Sequence, residues 1–433
     1  MKQLIKKILP KFILYFYHYL KAYLAAIIYM FPSSKLIIIG VTGTKGKSSS
    51  ANFVWAGLTG AGIKTGLLST ANFRIGDEEF LNRYHMTMPS PLVIQKMLRQ
   101  MVNNNCKAAI IEITSEGIIQ SRHRGINYDI LVFTNLTAEH IASHGTFANY
   151  RLAKQKVFKL LNKQKRKTIL QRLIPKTIIA NADSGEVNNF IKFEADKTFT
   201  FSIINPADVR AVSIKESIEG VSFTINNNDV NLRIAGKFNV LNALPAIIIG
   251  EVLKLNSEDV IKGLENLIKI PGRMEIIQSS PFMVIVDYAH EKESLNALLD
   301  SIEAINKFGK IILLIGGEGG GRDKSKRAIM GEIAGKRADY LVVSNVDPYE
   351  EAPGIIINEI SEGAKSAGMK IDKNLFLIEN RKEGIRKALS LANLGDFVLI
   401  TGKGSEQSMI IGADKIPWDD RIITKEILSE KKK

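Results

Sequence analysis

The sequence predicts an α/β protein of two domains, each on a mainly parallel sheet, and three observations carry that expectation. Apolar runs such as Leu36 to Ile39, Ala108 to Ile113 and Ile130 to Thr134 recur along the chain, each ending in a polar or glycine-rich loop and spaced by helical stretches. At Lys35 to Leu58 one such run breaks into a glycine loop that opens a helix. At Lys269 to Met274 a Pro-Gly turn interrupts the rhythm, which then restarts. The expected division is a helical N-terminal segment over 1–34, a central domain with parallel sheet and flanking strands over 35–270, and a doubly wound domain over 271–433.

The N-terminal segment differs in composition from the rest. Lys2, Lys6, Lys7 and Lys11 precede Phe12 to Phe31, rich in Tyr, Leu, Ile and Ala and interrupted by His18 and Lys21; Pro32-Ser33-Ser34 closes it. There is no small-residue cleavage site of a secretory signal. A basic, aromatic-rich helix suits an interfacial anchor. A helix packed on the enzyme or on a second subunit is the other main reading, and a full span is disfavoured by Lys21 and the tyrosines.

The stretch KLIIIGVTGTKGKSSSANFVWAGL organises the central domain. Leu36 to Ile39 reads as a strand buried on both faces, and Gly43, Thr44, Lys45, Gly46, Lys47, Ser48 and Ser49 read as a phosphate cradle at a helix N-terminus. Lys47 would reach the β- and γ-phosphates and Ser48 would hold Mg²⁺. The strict P-loop spacing fails at one place, because Val41 stands where the first glycine belongs, with Gly40 and Gly43 on either side.

Further strands are expected at Ile63 to Thr70, Ala108 to Ile113, Ile130 to Thr134 and Ile178 to Asn181, with a helix over Ser90 to Val102. Glu112 ends the third of the parallel strands, where nucleotide-bound Mg²⁺ needs an oxygen, and His140 follows the fourth as a further candidate ligand. Thr198 to Ile234 alternates short apolar and polar runs, which predicts antiparallel strands flanking the sheet. Beyond the Pro-Gly turn, MVIVDYAH, IILLIGGEGGGRDKSKR, ADYLVVSNVDP and DFVLITGKGSEQ are each a strand running into a functional loop.

With 433 residues and a formal net charge of +15, the chain suits an anionic substrate, a membrane surface or nucleic acid, but no nucleic-acid motif or low-complexity tract is present. Its single cysteine, Cys106, excludes an intramolecular disulfide, and no Cys/His cluster has zinc spacing, so a reducing cytoplasm is expected.

Ten ordered stretches together resemble the Mur ligase family, closest to its MurE type: GVTGTKGKSS, EITSEGIIQSR, NLTAEHIASHG, YRLAK, NAD, GKFNVLNAL, PGRME, VDYAH, GGGRDKSKR and GKGSE. The resemblance runs from about Lys35 to Arg421 and implies a P-loop central domain followed by a Rossmann-like one. It implies an ADP-forming ligase of peptidoglycan synthesis, in which ATP phosphorylates a UDP-muramoyl-peptide-like acid and an amino acid then attacks the acyl phosphate. By this similarity Ser48, Glu112 and His140 hold one Mg²⁺, and Lys154 is carbamylated by CO₂ to hold a second. Lys47, Lys154, His140 and Arg322 are the implied catalytic set, and Asn239, Arg273, Asp287 and His290 line the nucleotide. Thr87, Thr114, Gln120 and Arg122 meet the muramoyl-peptide, while Asp347, Tyr349, Gly402 and Glu406 meet the incoming amino acid. The implied location is the cytoplasm, at the inner face of the membrane if residues 1–31 touch it.

Several positions depart from the family pattern. The 34-residue helical segment stands where a UDP-binding domain is expected. The usual Thr-Thr-Pro is Thr87-Met88-Pro89, and Thr114-Ser115-Glu116 replaces Ser-Ser-His. The clamp for diaminopimelate reads Val346-Asp347-Pro348-Tyr349; without its arginine, and with Asp347, Glu350 and Glu351 making the loop acidic, lysine or ornithine is expected over diaminopimelate. A ligase acting on another carboxylate, such as a folate or a poly-amino-acid carrier, is the alternative. A non-catalytic nucleotide-binding scaffold is argued against by the presence of Lys47, Glu112, His140, Lys154 and Arg322.

Overall fold

The structure is a computed structural model that describes residues 11–84, 86–137, 144–306 and 308–430. The chain divides into two compact units. One holds the described residues up to Ile214 with Ser222–Leu232 and Asn239–Leu267; the other holds Lys215–Val221, Arg233–Phe238 and Ile268 onward.

The first unit is built on nine strands: β1 (Ile37–Thr42), β2 (Thr65–Leu68), β3 (Asn72–Ile75), β4 (Glu78–Leu81), β5 (Ala108–Ile113), β6 (Ile130–Phe133), β9 (Thr177–Asn181), β10 (Lys197–Ser202) and β11 (Val209–Arg210), with the hairpin β7 (Lys167–Ile169) and β8 (Arg172–Ile174) between β6 and β9. Their order is β11, β10, β9, β6, β1, β5, β2, β3, β4. From β11 to β2 every pairing is parallel, and β3 and β4 close the sheet as antiparallel strands. All six residues of β1 and of β5 are buried, as strands covered on both faces must be. Phe133 on β6 stacks on Phe190 with ring centres 3.8 Å apart, one of the contacts that fill the core beneath the flanking helices.

Parallel pairing places the loops after β1, β5 and β6 along one edge of the sheet and the segments preceding them along the other. The antiparallel expectation for Thr198 to Ile234 needs correction in its first part, up to Arg210. β10 and β11 extend the main sheet in parallel, and the strands β12 (Val212–Ser217), β13 (Gly220–Ile225) and β14 (Asn228–Leu232) form a three-stranded sheet of their own. Apolar alternation identified strands there but carried no information on direction.

The second unit holds β15 (Glu275–Gln278), β16 (Met283–Asp287), β17 (Ile311–Ile315), β18 (Tyr340–Ser344), β19 (Leu375–Ile378) and β20 (Phe397–Thr401) in the order β15, β16, β20, β17, β18, β19. In this six-stranded sheet only β15 is antiparallel, and Ser408–Ile411 and Asp414–Pro417 form a separate antiparallel hairpin.

The N-terminal helix Lys11–Ile28 packs on the first unit through small residues: Ala22, Ala25 and Ala26 are buried, and the Arg99 guanidinium donates to the Tyr29 carbonyl at 2.7 Å just beyond its C-terminus. A cation there satisfies an orphan carbonyl and opposes the helix dipole. Among the described residues no helix is long and apolar enough to cross a membrane.

Candidate active site

β1 delivers the chain into the glycine loop, and Gly46 turns it into the helix Lys47–Gly60 with φ of 78°. A side chain is excluded there twice over, by that backbone conformation and because a Cβ would lie 2.4 Å from Asn242 Oδ1. The loop is fixed from the β6 side: Asn135 Oδ1 accepts from the Lys45 amide at 2.8 Å, the Asn135 carbonyl accepts from the Thr44 amide at 2.9 Å, and Thr134 Oγ1 donates to the Lys45 carbonyl at 2.6 Å. Lys47 Nζ donates to the Thr44 carbonyl at 2.7 Å, across the loop it would share with a phosphate. Ser48 and Ser49 are buried in the first helical turn, which carries no acidic residue, so its dipole faces an anion unopposed. Asn239 and Asn242 lie on the helix Phe238–Val252, with Asn242 donating to Asn239 at 3.0 Å.

Glu112 ends up beside this turn because β1 and β5 are neighbours in register. Ser48 Oγ donates to its Oε2 at 2.9 Å, and Thr70 donates through its amide at 2.7 Å and through its hydroxyl at 3.0 Å. The carboxylate is 2% exposed, and among the described residues no cationic side chain pairs with it. Lys154, 1% exposed on the helix Phe147–Leu161, donates to the Gly43 carbonyl at 2.6 Å and lies 4.9 Å from the Tyr150 ring centre. His140 lies outside the described residues. His144 is close by, sharing a 3.0 Å contact with Ser115 Oγ; burial and Lys154 push its imidazole pKa down while Glu116 opposes them.

Beside Glu112, Thr87 Oγ1 meets Thr70 Oγ1 at 2.8 Å. Thr114 caps the short helix Ser115–Ile119 by accepting from the Gly117 amide. Arg122 donates to Gln120 Oε1 at 2.6 Å and to the Met88 carbonyl, so the residues expected to meet an acidic substrate are partly tied to one another.

In the second unit the functional loops follow β16, β17, β18 and β20. Asp287 accepts from the Met274 and Ala289 amides at 2.7 Å; burial raises its pKa and Arg273 pulls it back. The Arg273 guanidinium stacks 4.1 Å from the Tyr288 ring centre, and His290 Nδ1 meets the Tyr288 carbonyl at 2.7 Å. Arg322 pairs with Glu318 at 3.2 Å and has Tyr349 as an electrostatic neighbour; Glu318 is the main cause of its raised pKa. Lys403, fully buried, donates to both Asp347 oxygens at 2.9 and 2.8 Å and pairs with Glu406 at 2.6 Å. Burial alone would lower its pKa, but Glu406 and Asp347 outweigh burial and raise it. Gly402 precedes it with φ of 109°.

The loop after β18 therefore differs in charge from the reading of its sequence. Asp347 is spent on Lys403 and the Ile410 amide, and Glu351 on Arg327 and Lys324. Two of the three carboxylates counted there are thus neutralised within the fold, while Glu350 is exposed, so the loop offers less negative charge to a ligand than its sequence suggests.

Comparison with known proteins decides the family. Residues 41–250 match the Mur ligase middle domain, and 272–404 match the domain described as "Mur ligase, glutamate ligase domain". A UDP-N-acetylmuramyl-tripeptide synthetase of Roseiflexus sp. (strain RS-1) is 34% identical over 418 residues, covering 94% of this chain and 81% of the relative. The chain belongs to the Mur ligase family. A solved UDP-N-acetylmuramoyl-L-alanyl-D-glutamate–2,6-diaminopimelate ligase superposes on this Mur ligase with a TM-score of 0.62 at 25% identity, covering 92% of this chain and 79% of that one. Folylpolyglutamate synthase of Mycobacterium tuberculosis shares the fold, with a TM-score of 0.68 at 16% identity and 88% and 92% coverage.

As a Mur ligase the chain is an enzyme, dependent on ATP and Mg²⁺, that joins small molecules. The residues present fit both groups. The loop before Lys47 leaves no room for a side chain at Gly46 and ends on an open helix N-terminus. Among the described residues Glu112 is a buried carboxylate held by neutral donors alone, a costly arrangement that a hard cation beside the Ser48 hydroxyl would relieve. Thr70, Glu318 and Lys403 went unassigned at the sequence level. Lys403 had a signal, a lysine between two glycines at a strand end, but its two carboxylate partners lie at separate places in the sequence.

Proposed function

We propose that this Mur ligase adds an amino acid to a UDP-N-acetylmuramoyl-peptide in peptidoglycan synthesis, with conversion of ATP to ADP and phosphate. The observation that carries the reading is the Ser48–Glu112 contact at the mouth of the glycine loop, where a buried carboxylate and a hydroxyl converge beside a helix N-terminus. Lys47 and the loop amides bind and orient the phosphates of ATP, and Ser48 and Glu112 hold Mg²⁺, with His140 as a further ligand. Bound there, Mg²⁺ offsets the charge that builds as the phosphoryl group moves to the substrate carboxylate.

Thr87, Thr114, Gln120 and Arg122 position the muramoyl-peptide. The second metal site rests on Lys154: a lysine buried against the loop, converted by CO₂ to a carbamate, exchanges an ammonium for two oxygens suited to a second Mg²⁺. Residues 1–31 contact the inner face of the cytoplasmic membrane peripherally. The fold shared with folylpolyglutamate synthase keeps a folate-like acid as the rival substrate.

The test is ATP-dependent phosphate release with a UDP-muramoyl-dipeptide or a folate as acid, across a panel of amino acids, with products weighed. Release that needs the muramoyl-peptide and yields its amide is the expected result; release with the folate alone would overturn it. In the same assay Lys154→Ala should be nearly inactive and partly restored by a small added carboxylic acid, whereas full activity of that variant in bicarbonate-free buffer would refute the carbamate.

A further inference from the structure

The N-terminal helix is amphipathic the wrong way round for a helix that only packs on its own domain. Its small face is buried, with Ala22 and Ala26 against Gly125, where any Cβ would lie 2.8 Å from that of Ala26. Its large apolar side chains point outward: Phe16, Leu20, Leu24, Ile27 and Ile28 recur at helical spacing, and Phe16, Ile27 and Ile28 are 62, 56 and 63% exposed. Scattered apolar residues on a surface need no explanation, but a continuous stripe along one helix does.

Beside the helix lies a cavity of about 410 Å³, lined by Tyr23 of the helix, by Phe31 just beyond it, and by His123, Arg124, Lys163 and Lys165. Lys163 and Lys165 are exposed, and no Asp or Glu among the described residues lines the cavity. His123 is 4% exposed, neither ring nitrogen has a hydrogen-bond partner, and the Nε of Arg124 is likewise buried and unpartnered. Ser33 and Asn127, also in the lining, precede β1 and β6, so the cavity lies at the sheet edge opposite the glycine loop. It is separate from the ATP site.

We propose that this helix face is a membrane-docking surface, and that the cavity beside it seats the phosphate of an anionic phospholipid headgroup while the apolar stripe enters the acyl boundary. The inference deepens the peripheral contact proposed above and rests on it. Charge favours a membrane over a second copy of the chain. A self-association through this face would oppose Lys163, Lys165 and Arg124 with their own kind on a chain of net charge +15, whereas an anionic leaflet complements them. Lys2, Lys6, Lys7 and Lys11 at the start of the sequence add to the same side of that balance.

Flotation of the full chain with phosphatidylcholine vesicles, with and without phosphatidylglycerol, tests both levels. Binding should rise with phosphatidylglycerol and fall with salt. The double variant Leu24→Asp/Ile27→Asp should lose binding to both vesicle types with ATP-dependent phosphate release unchanged. The triple variant Arg124→Gln/Lys163→Gln/Lys165→Gln should lose the phosphatidylglycerol preference, by about tenfold or more, and keep its residual binding to phosphatidylcholine. No flotation with either vesicle would sink membrane contact altogether. Flotation without a phosphatidylglycerol preference, or a preference untouched in the triple variant, would sink the headgroup site alone. A drop from dimer to monomer mass in the double variant, with lipid binding unaltered, would assign the face to a second copy instead.

Discussion

In the first unit the Glu112 carboxylate is held by the Ser48 and Thr70 hydroxyls and one amide, whereas in the second unit Asp347 and Glu406 close on the buried ammonium of Lys403. Both arrangements lie at the ends of parallel strands, and both bury charge. A buried charge held only by neutral dipoles keeps most of its desolvation cost and gains by meeting an ion of opposite sign. One already neutralised internally gains little from a further ion and serves to hold its loops together. The difference separates groups poised for a ligand from groups that fix the frame around one.

The largest expected effect is at Lys47. Lys47→Ala removes the cation that would face the transferring phosphoryl group, so kcat should fall by about 100-fold or more, the scale on which such electrostatic stabilisation acts. The thermal midpoint should stay within a degree or two of wild type, because the side chain spans its own loop rather than a core. Steady-state phosphate release with thermal unfolding on the same samples checks both, and activity above a tenth of wild type would remove Lys47 from the phosphate site.

A paired experiment sharpens the comparison directly. Asp347→Asn leaves Lys403 with one carboxylate instead of two in a fully buried site, and breaking such a cluster costs roughly 3–5 kcal/mol. Glu112→Gln should do the opposite when metal is absent. Without Mg²⁺ its stability should match or exceed wild type, and the stabilisation that Mg²⁺ gives the wild-type protein should vanish. Denaturation with EDTA or with Mg²⁺ distinguishes them; equal Mg²⁺ protection of wild type and Glu112→Gln would refute the metal role.

The strands and the glycine loop were legible in the sequence because their causes are local. A six-residue run such as Ala108–Ile113, apolar but for Glu112 next to its end, suits little else than a strand covered on both faces, and Gly46 before Lys47 and Ser48 marks a turn into a helix that only glycine allows. The pairing of Asp347 with Lys403 was not legible, since its partners are 56 residues apart and meet only when β18 and β20 have taken their places in the sheet. Nor did the N-terminal helix reveal which face it buries. Its richness in Tyr, Leu, Ile and Ala was visible, but Ala22 and Ala26 against Gly125 allow the closer approach, so the smaller face packs inward.

His123, at the far edge of the first unit's sheet, carries the contrast to a group buried neutral. Burial, then Arg124 and Lys156, push its pKa down to about 3, from about 6.5 in the unfolded chain. Between those values the unfolded chain holds a proton that the folded chain does not, so stability falls as pH drops below about 6.5 and levels off near 3. The slope reaches at most about 1.4 kcal/mol per pH unit. His123→Phe should flatten the wild-type decline between pH 7 and 5, measured by denaturant midpoint; parallel curves would place the imidazole in water.

The smallest effect concerns the amino acid. Counting charges in the sequence makes the loop after β18 acidic, yet Arg327 and then Lys324 hold the Glu351 carboxyl down to about 2, and each is already its partner. Removing that carboxylate therefore frees Lys324, while Arg327 keeps Glu359, and takes away no anionic surface that an incoming side chain would have felt. Glu351→Gln should change the ratio of lysine to diaminopimelate product by less than about threefold, under 1 kcal/mol. Tyr349 is the more telling position, because its phenol is an electrostatic neighbour of Arg322 and so stands where a cation can reach the loop. Tyr349→Arg adds a guanidinium able to grip a distal carboxylate through two hydrogen bonds, and should move the ratio further toward diaminopimelate than Glu351→Gln moves it in either direction. Both ratios come from one competition reaction read by product mass. A larger shift from Glu351→Gln than from Tyr349→Arg would mean that the loop's carboxylates reach the substrate after all, and that their ion pairs open when it binds.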